Sequence, residues 1–232
     1  MDKSNSTALI YFSRSVKCEA ESKSWSNFST RAQRIAISKF LYRKTLSVLR
    51  SSELDIIFFD EQKQVGNSFG EKLVNAFRHA FDLGYQSAFS VGNDCLSLEH
   101  IDFGHIKSTL ESGTAILGPT FRQGAYLIGL KRDQLDDKKF QCIRWQSEYT
   151  ASDLKTYFEV QSIELEVLEQ KRDINQLKDF ALVVKELKDI SSIAIIRTFL
   201  AFVKNSLPVS IHLIAIPIVV YTPFLRGPPS HF

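Results

Sequence analysis

The stretch Ser87-Ala88-Phe89-Ser90-Val91-Gly92-Asn93-Asp94-Cys95 decides how this chain is read. Five residues suited to a buried strand run into Gly-Asn-Asp, and an acid beside a glycine at the carboxyl end of such a strand has room for a phosphate or a metal ion. The same spacing also lets Asp94 cap a turn or the following helix. On either side, short apolar runs alternate with longer amphipathic stretches, the pattern of strands joined by crossover helices in an α/β sheet. Strands are expected over residues 8–13, 54–59, 87–91, 114–117, 125–130 and 163–168, and helices over 30–50, 69–83, 98–112, 152–159 and 175–187. The second helix is the best marked. Leu73, Val74, Ala76, Phe77, Ala80 and Phe81 form one apolar stripe, Gly84 follows it, and Ser68-Phe69-Gly70-Glu71 has the S-x-x-E form of a capping box.

With 232 residues, 44% hydrophobic and 24% charged, the chain has the balance of a globular protein of one large domain, or of one domain with an appendage. Charge favours the second. Of the 29 bases and 26 acids, only Arg197, Lys204 and Arg226 lie beyond residue 190, so the first 190 residues carry 26 of each. Of six prolines only Pro119 precedes that point. A main α/β domain is therefore expected over 1–189 and an apolar, proline-rich C-terminal extension over 190–232. Residues 209–221 are nearly all aliphatic, but Ser210, His212 and Pro217 interrupt them, and the run falls short of the roughly 20 apolar residues that a transmembrane helix wants. A surface this apolar calls for cover, as a homodimer contact or as packing on the body.

A neutral body lacks the clustered Lys and Arg that hold a phosphate backbone, so no nucleic-acid partner is expected. Cys18, Cys95 and Cys142 are too few and too scattered for a disulfide framework or a zinc site. The first apolar run, residues 8–12, is shorter than a secretory core of about 7–15 residues, which points to a cytoplasmic protein. No G-x-S-x-G, G-x-x-x-x-G-K-[ST] or H-E-x-x-H occurs, and the five histidines form no triad signature.

Two further segments could carry chemistry. Gly118-Pro119-Thr120-Phe121-Arg122-Gln123-Gly124 joins two strands, and its glycines suit either close approach to a ligand or a plain connection. Asp173-Ile174-Asn175 sits in a polar turn, where Asp173 would serve as a helix N-cap.

Taken in order, Gln64 to Leu73, Gly92-Asn93-Asp94-Cys95, Gly118-Pro119, Tyr126-Leu127-Ile128-Gly129-Leu130, Trp145-Gln146-Ser147 and Asp173-Ile174-Asn175 resemble a bacterial family of unknown function. That family is related to nucleotide-diphospho-sugar transferases and includes an arsenosugar biosynthesis glycosyltransferase branch. The resemblance runs from about Ala8 to Phe180. It implies a glycosyltransferase-A-like fold, a mixed and mostly parallel sheet flanked by helices, that binds a nucleotide or nucleotide sugar. It also implies Mg²⁺ or Mn²⁺ held by Asp94, with Asp173 and Asn175 in support, where a hard cation would take oxygens and offset charge on the departing diphosphate. Nucleotide or phosphate contacts fall at Gln64, Gly66, Gly92, Asn93 and Gly124, and cleft walls at Tyr126 and Trp145. Within this fold the activity implied is glycosyl transfer, with nucleotidyl transfer or non-catalytic nucleotide binding as alternatives.

The chain departs from the family pattern in three places. The late Asp-x-Asp is Asp173-Ile174-Asn175. The early Gly-x-x-Lys-Thr-Arg run is replaced around Cys18 to Ser24, where Lys23 is near register for a phosphate contact or is a solvated lysine. The usual Asp-Gly-Gly is Arg122-Gln123-Gly124. This last change shifts local charge by two units, each worth roughly 3 kcal/mol on an ion about 6 Å away at an effective dielectric near 20. Arg122 is accordingly expected to take over part of a cation's role by pairing with a phosphate or carboxylate, or else to be a surface arginine of a branch without activity.

Overall fold

The computed structural model describes residues 6–23 and 30–176, with residues 178, 179, 182, 183, 194, 197 and 201 beyond them. The extension over 190–232, with its packing or dimer contact, otherwise lies outside the described residues, as does most of the helix expected over 175–187.

Strand β1 (Thr7–Phe12) leads into the short helix α1 (Val16–Ser22) and then α2 (Arg31–Arg50), β2 (Asp55–Phe59), α3 (Phe69–Asp82) and β3 (Ser87–Val91). A 3-10 helix (Leu96–His100) precedes α4 (Phe103–Ser112), β4 (Ala115–Pro119) and β5 (Ala125–Lys131). After a second 3-10 turn (Arg132–Gln134) come α5 (Asp137–Gln141), α6 (Thr150–Glu159) and β6 (Leu165–Val167). The six strands form one sheet in the order β2-β1-β3-β5-β4-β6. Every neighbouring pair is parallel except those of β5, which runs antiparallel to β3 and β4.

Both faces of the sheet are covered, so β1, β3 and β4 are buried without alternation, Phe12 at the end of β1 excepted. Successive side chains point to opposite faces. Ala8, Ile10, Ala88, Leu117 and Leu130 pack with Phe77 and Phe81 of α3, Phe140 of α5 and Leu154 and Phe158 of α6. Leu9, Phe89, Val91, Ile116 and Leu127 pack with Leu49 of α2 and Ile106 and Leu110 of α4. The stripe of α3 is buried as its spacing requires. Ser68 Oγ accepts from Glu71 N at 3.1 Å, while Glu71 Oε2 reaches one residue further back than in a capping box, to Asn67 N at 2.6 Å.

The helix expected over 98–112 is two elements. Asp102 ends the 3-10 segment and starts α4 by accepting from His105 N at 3.0 Å. The short helices α1 and α5 were not foreseen. Among the described residues no helix is long and apolar enough to cross a membrane, and all three thiols are free.

Helix α1 borders the site described below, and it is fastened by a residue from another loop. Glu61 accepts from Ser15 N and Ser15 Oγ, each at 2.6 Å, and from Cys18 Sγ at 3.1 Å. The Ser15 hydroxyl and then its backbone N–H hold the Glu61 carboxyl well below its ordinary value, at about 2. A depressed carboxyl pKa stabilises the fold in full above the unfolded value and ceases to do so as pH falls through the folded one. Glu61→Gln should therefore cost about 1 kcal/mol at neutral pH, a charged hydrogen bond discounted for solvent. The difference from the parent in urea unfolding should shrink between pH 4.5 and about 2. An equal cost at both ends of that window would contradict the assignment.

Candidate nucleotide and cation site

The carboxyl ends of β1, β3 and β4, together with the start of the antiparallel β5, open into one cleft of about 840 Å³. Helix α1, the N-terminal turn of α3 and the loop before α6 supply its walls. Of the residues singled out in the sequence, Lys23, Gln64, Gly92, Asn93, Asp94, Arg122, Gly124, Tyr126, Trp145, Asp173 and Asn175 all line it. Gly66 is not among the lining residues. Its φ of +138° and the 2.8 Å that would separate an added Cβ from Glu71 Cβ account for a glycine in the turn entering α3 without any ligand.

Asp94 and Asp173 come together through the backbone. Ile174 N donates to Asp94 O at 2.7 Å, and Cys95 and Asp173 form an antiparallel bridge. Neither acid does the capping that its spacing allowed. The 3-10 helix begins at Cys95 without a side-chain cap bond, and the Asp173 carboxylate accepts from the Asn175 side chain. Asp94 Oδ2 lies 3.4 Å from Lys23 Nζ, which also meets Glu19 Oε1 at 3.0 Å and the Ile174 carbonyl at 3.2 Å. Asp173 Oδ2 is 3.8 Å from Arg122 Nη1, whereas Asp173 Oδ1 is buried with no hydrogen-bond partner among the described residues. Burial first and the neighbouring Asp94 charge second raise the Asp173 carboxyl above its ordinary pKa, with Arg122 and Asn175 opposing.

The charge change expected at Arg122 needs correction. Its Nη2 donates to Asp179 Oδ1 at 2.8 Å. Asp179 is fully buried, and its other oxygen accepts from Asn175 N at 2.9 Å and Gln176 N at 2.8 Å. The acid lost at Arg122 is thus answered by another acid 57 residues away. Among the described residues Glu19, Asp94, Asp173 and Asp179 pair with Lys23 and Arg122, four acids to two bases on this side of the cleft.

The opposite side is basic. Arg14, two residues past β1, and Lys72, in the first turn of α3, line the cleft and form no ion pair among the described residues. Sequence reasoning passed over both, although the end of β1 was as good a place to look as the end of β3. Glu19 was missed because a buried acid on a seven-residue helix leaves no periodic signal.

Tyr126 forms part of the floor, 3% exposed, and its hydroxyl donates to the Glu169 carbonyl at 3.1 Å. Burial raises this phenol well above its ordinary pKa, so it is neutral. Trp145 donates its ring N–H to Phe140 O at 3.0 Å and packs on Phe69 and Phe140, with centroids 5.5 and 5.1 Å away. It is a fixed wall.

Residues 50–147 match the model of a family described as uncharacterized proteins conserved in bacteria (DUF2064). No curated protein matches the sequence. Among solved structures, the fold is similar to that of a protein from Desulfovibrio desulfuricans G20 named as a putative nucleotide-diphospho-sugar transferase, at 19% identity and a TM-score of 0.66, over 87% of this chain and 98% of that one. Rv0371c from Mycobacterium tuberculosis H37Rv matches more distantly, at 8% identity and a TM-score of 0.46, over 80% of this chain and all of that one. Over residues 50–147 the chain is thus similar to the bacterial DUF2064 family, and its fold is similar to that of the putative nucleotide-diphospho-sugar transferase.

Proposed function

We propose that the cleft binds a nucleotide-activated sugar together with Mg²⁺ or Mn²⁺ and that the protein transfers the sugar. The observation that carries this reading is the meeting of Asp94 with Asp173, whose Oδ1 is buried without a hydrogen-bond partner among the described residues, at the carboxyl ends of the strands. Two carboxylates and the Asn175 amide oxygen fit a hard cation. Such an ion is commonly bound through one or two carboxylates, with substrate phosphates and water completing its shell. Four acids to two bases among the described residues on that side of the cleft suit a divalent ion. When bound, the cation would offset charge on the departing diphosphate.

The chain's own residues do the remaining work. Arg14 and Lys72 offer the diphosphate positive charge from the opposite wall. Gly92 and Gly124 let backbone come close, and Gln64, anchored by its side-chain N–H on Phe59 O at 2.9 Å, would offer its amide oxygen to the nucleotide. Arg122, already bound to Asp179, keeps a side chain 42% exposed toward the cleft, where it can reach a phosphate or carboxylate of the acceptor. Trp145 and Tyr126 shape the wall and floor against the sugar.

The test is a thermal-shift series with nucleoside diphosphates, nucleoside triphosphates and nucleotide sugars, with and without Mn²⁺, on the parent and Asp94→Asn. At about 100 times its dissociation constant a ligand adds roughly 2.7 kcal/mol, or about 5–10 °C for a chain of this size. A nucleotide-sugar shift that needs Mn²⁺ and is lost in Asp94→Asn is the expected result. A shift confined to a nucleoside triphosphate that is turned over with release of pyrophosphate would replace sugar transfer by nucleotidyl transfer on the same fold. Absence of any nucleotide shift would overturn both.

A further inference from the structure

Lys23 stands where α1 ends, and among the described residues its ammonium meets Glu19 Oε1, Asp94 Oδ2 and the Ile174 carbonyl. Its side chain is only 17% exposed. A positive charge therefore already sits on the carboxylate that the proposed function gives to the cation. An ammonium and a divalent ion repel each other, and they compete for the same oxygen.

The contacts of Lys23 are unequal. Glu19 lies one helical turn back on the same element and is buried, so it stays beside the lysine whatever the tip does. Asp94 and Ile174 belong to other segments, and the bond to Asp94 is the longest of the three. A lysine tip is a compact charge on a flexible stem, able to exchange one oxygen partner for another. A diphosphate arriving in the cleft offers such oxygens with more charge than Asp94 has.

The geometry points to Lys23 as an internal counter-ion that occupies Asp94 until a diphosphate draws it off, so that the cation site becomes available only on the nucleotide-bound protein. This rests on the proposed function and adds an order of binding to it. Mn²⁺ alone meets an occupied carboxylate and binds weakly. Diphosphate binding transfers Lys23 from Asp94 to phosphate, pivoting on Glu19, and the freed Asp94 then joins Asp173 around the ion. Lys23 is a positioning residue in this scheme.

The experiment uses the full chain and reads Mn²⁺ affinity from the electron-paramagnetic-resonance signal of the free ion, without nucleotide. Lys23→Met, which keeps the stem and removes the charge, should bind Mn²⁺ about tenfold more tightly than the parent, within the usual range of coupling between sites. Adding Asp94→Asn should abolish that gain, and Lys23→Arg should restore the weak binding of the parent. In metal-free solution, inorganic pyrophosphate should raise the melting temperature of the parent and not that of Lys23→Met. A purely structural lysine would lower the melting temperature of Lys23→Met and leave its Mn²⁺ affinity unchanged, and that result overturns the proposal. Lys23→Gln replaces Lys23→Met in the same comparison should the apolar stem unfold α1. The two claims fail separately. A Mn²⁺-dependent nucleotide-sugar shift in the parent, with no gain of Mn²⁺ affinity in the lysine variants, sinks the counter-ion alone. A gain in the variants with no nucleotide shift in the parent sinks the transferase reading and leaves the lysine–cation competition standing.

Discussion

Gly118→Ala should destabilise the fold by about 3 kcal/mol, the sum of an overpacked core and a lost buried hydrogen bond. A Cβ at this position would sit 2.4 Å from Tyr126 Cζ and 2.6 Å from its Cε2, far inside contact distance. The ring cannot move aside cheaply. It is buried between β4 and the cleft, and its hydroxyl is fixed on the Glu169 carbonyl at 3.1 Å. Gly118 pairs with Leu127 next to the irregularity in the β4–β5 register, so backbone that shifts to relieve the clash also disturbs the ladder. Urea unfolding of the parent, Gly118→Ala, Tyr126→Phe and the double variant separates the two contributions. Tyr126→Phe should cost about 1 kcal/mol by itself, the hydrogen bond alone. The double variant should fall well short of the sum of the two, because the strained ring no longer has a bond to lose. A Gly118→Ala protein within about 0.5 kcal/mol of the parent would mean that the floor yields readily, and Tyr126 could not then be regarded as a fixed surface of the site.

What the chain makes legible follows from how local each signal is. Residues 87–95 and 68–84 carry their structure in neighbouring side chains. A run buried on both faces can only be a covered strand, and a 3.6-residue stripe with a serine before it can only start where it does. The orientation of β5 is another matter. Its residues 126–130 are as buried as β1, β3 and β4, so nothing in its composition separates an antiparallel insertion from a sixth parallel member. The split of residues 98–112 was visible in principle, since Asp102 followed by Phe103 is a cap before an apolar residue. The apolar residues ahead of it, Leu96 and Leu98, carried the periodicity across the break. Helix α1 hides because its fastening, Glu61, comes from a distant loop.

In the site the same rule divides the residues. Asp94 could be found because a strand delivers it to the carboxyl edge of the sheet, and Asp173 because its motif is compact. Their juxtaposition depends on the pairing of residues 94–95 with 173–174, which no local pattern encodes. Charge was misjudged for a related reason. Arg122 read as a reversal of sign because it stands where the family pattern has an acid, while its neighbours in space contain two acids. The acid that matters most, Asp179, stands in a segment whose sequence suggests only a helix beginning. The helical turn buries it and aims it at both Arg122 and the backbone N–H groups of Asn175 and Gln176.

That arrangement makes Asp179→Ala the substitution with the widest consequences. Removing one member of a buried pair typically costs about 3–5 kcal/mol because the other charge is left uncompensated. Here the orphan would be Arg122, whose side chain is 42% exposed and can turn to water, which brings the expected loss down to about 3 kcal/mol. Arg122→Ala leaves the opposite orphan, a fully buried carboxylate supported, among the described residues, by two backbone N–H groups, and should cost at least as much although the arginine is the more exposed partner. The double variant should be no less stable than Arg122→Ala alone, a coupling that a denaturant double-mutant cycle measures directly. The two single variants should part company in ligand binding. Arg122→Ala keeps the turn at 175–176 closed on Asp179, so Asp173 and Asn175 stay in place. Asp179→Ala opens that turn and frees the Asn175 amide from its position beside Asp173. The Mn²⁺-dependent nucleotide shift should therefore survive in part in Arg122→Ala and vanish in Asp179→Ala, with Asp94 untouched in both. If Asp179→Ala kept the full shift, the 173–175 turn would have no share in the cation site, and the ion would rest on Asp94 without it.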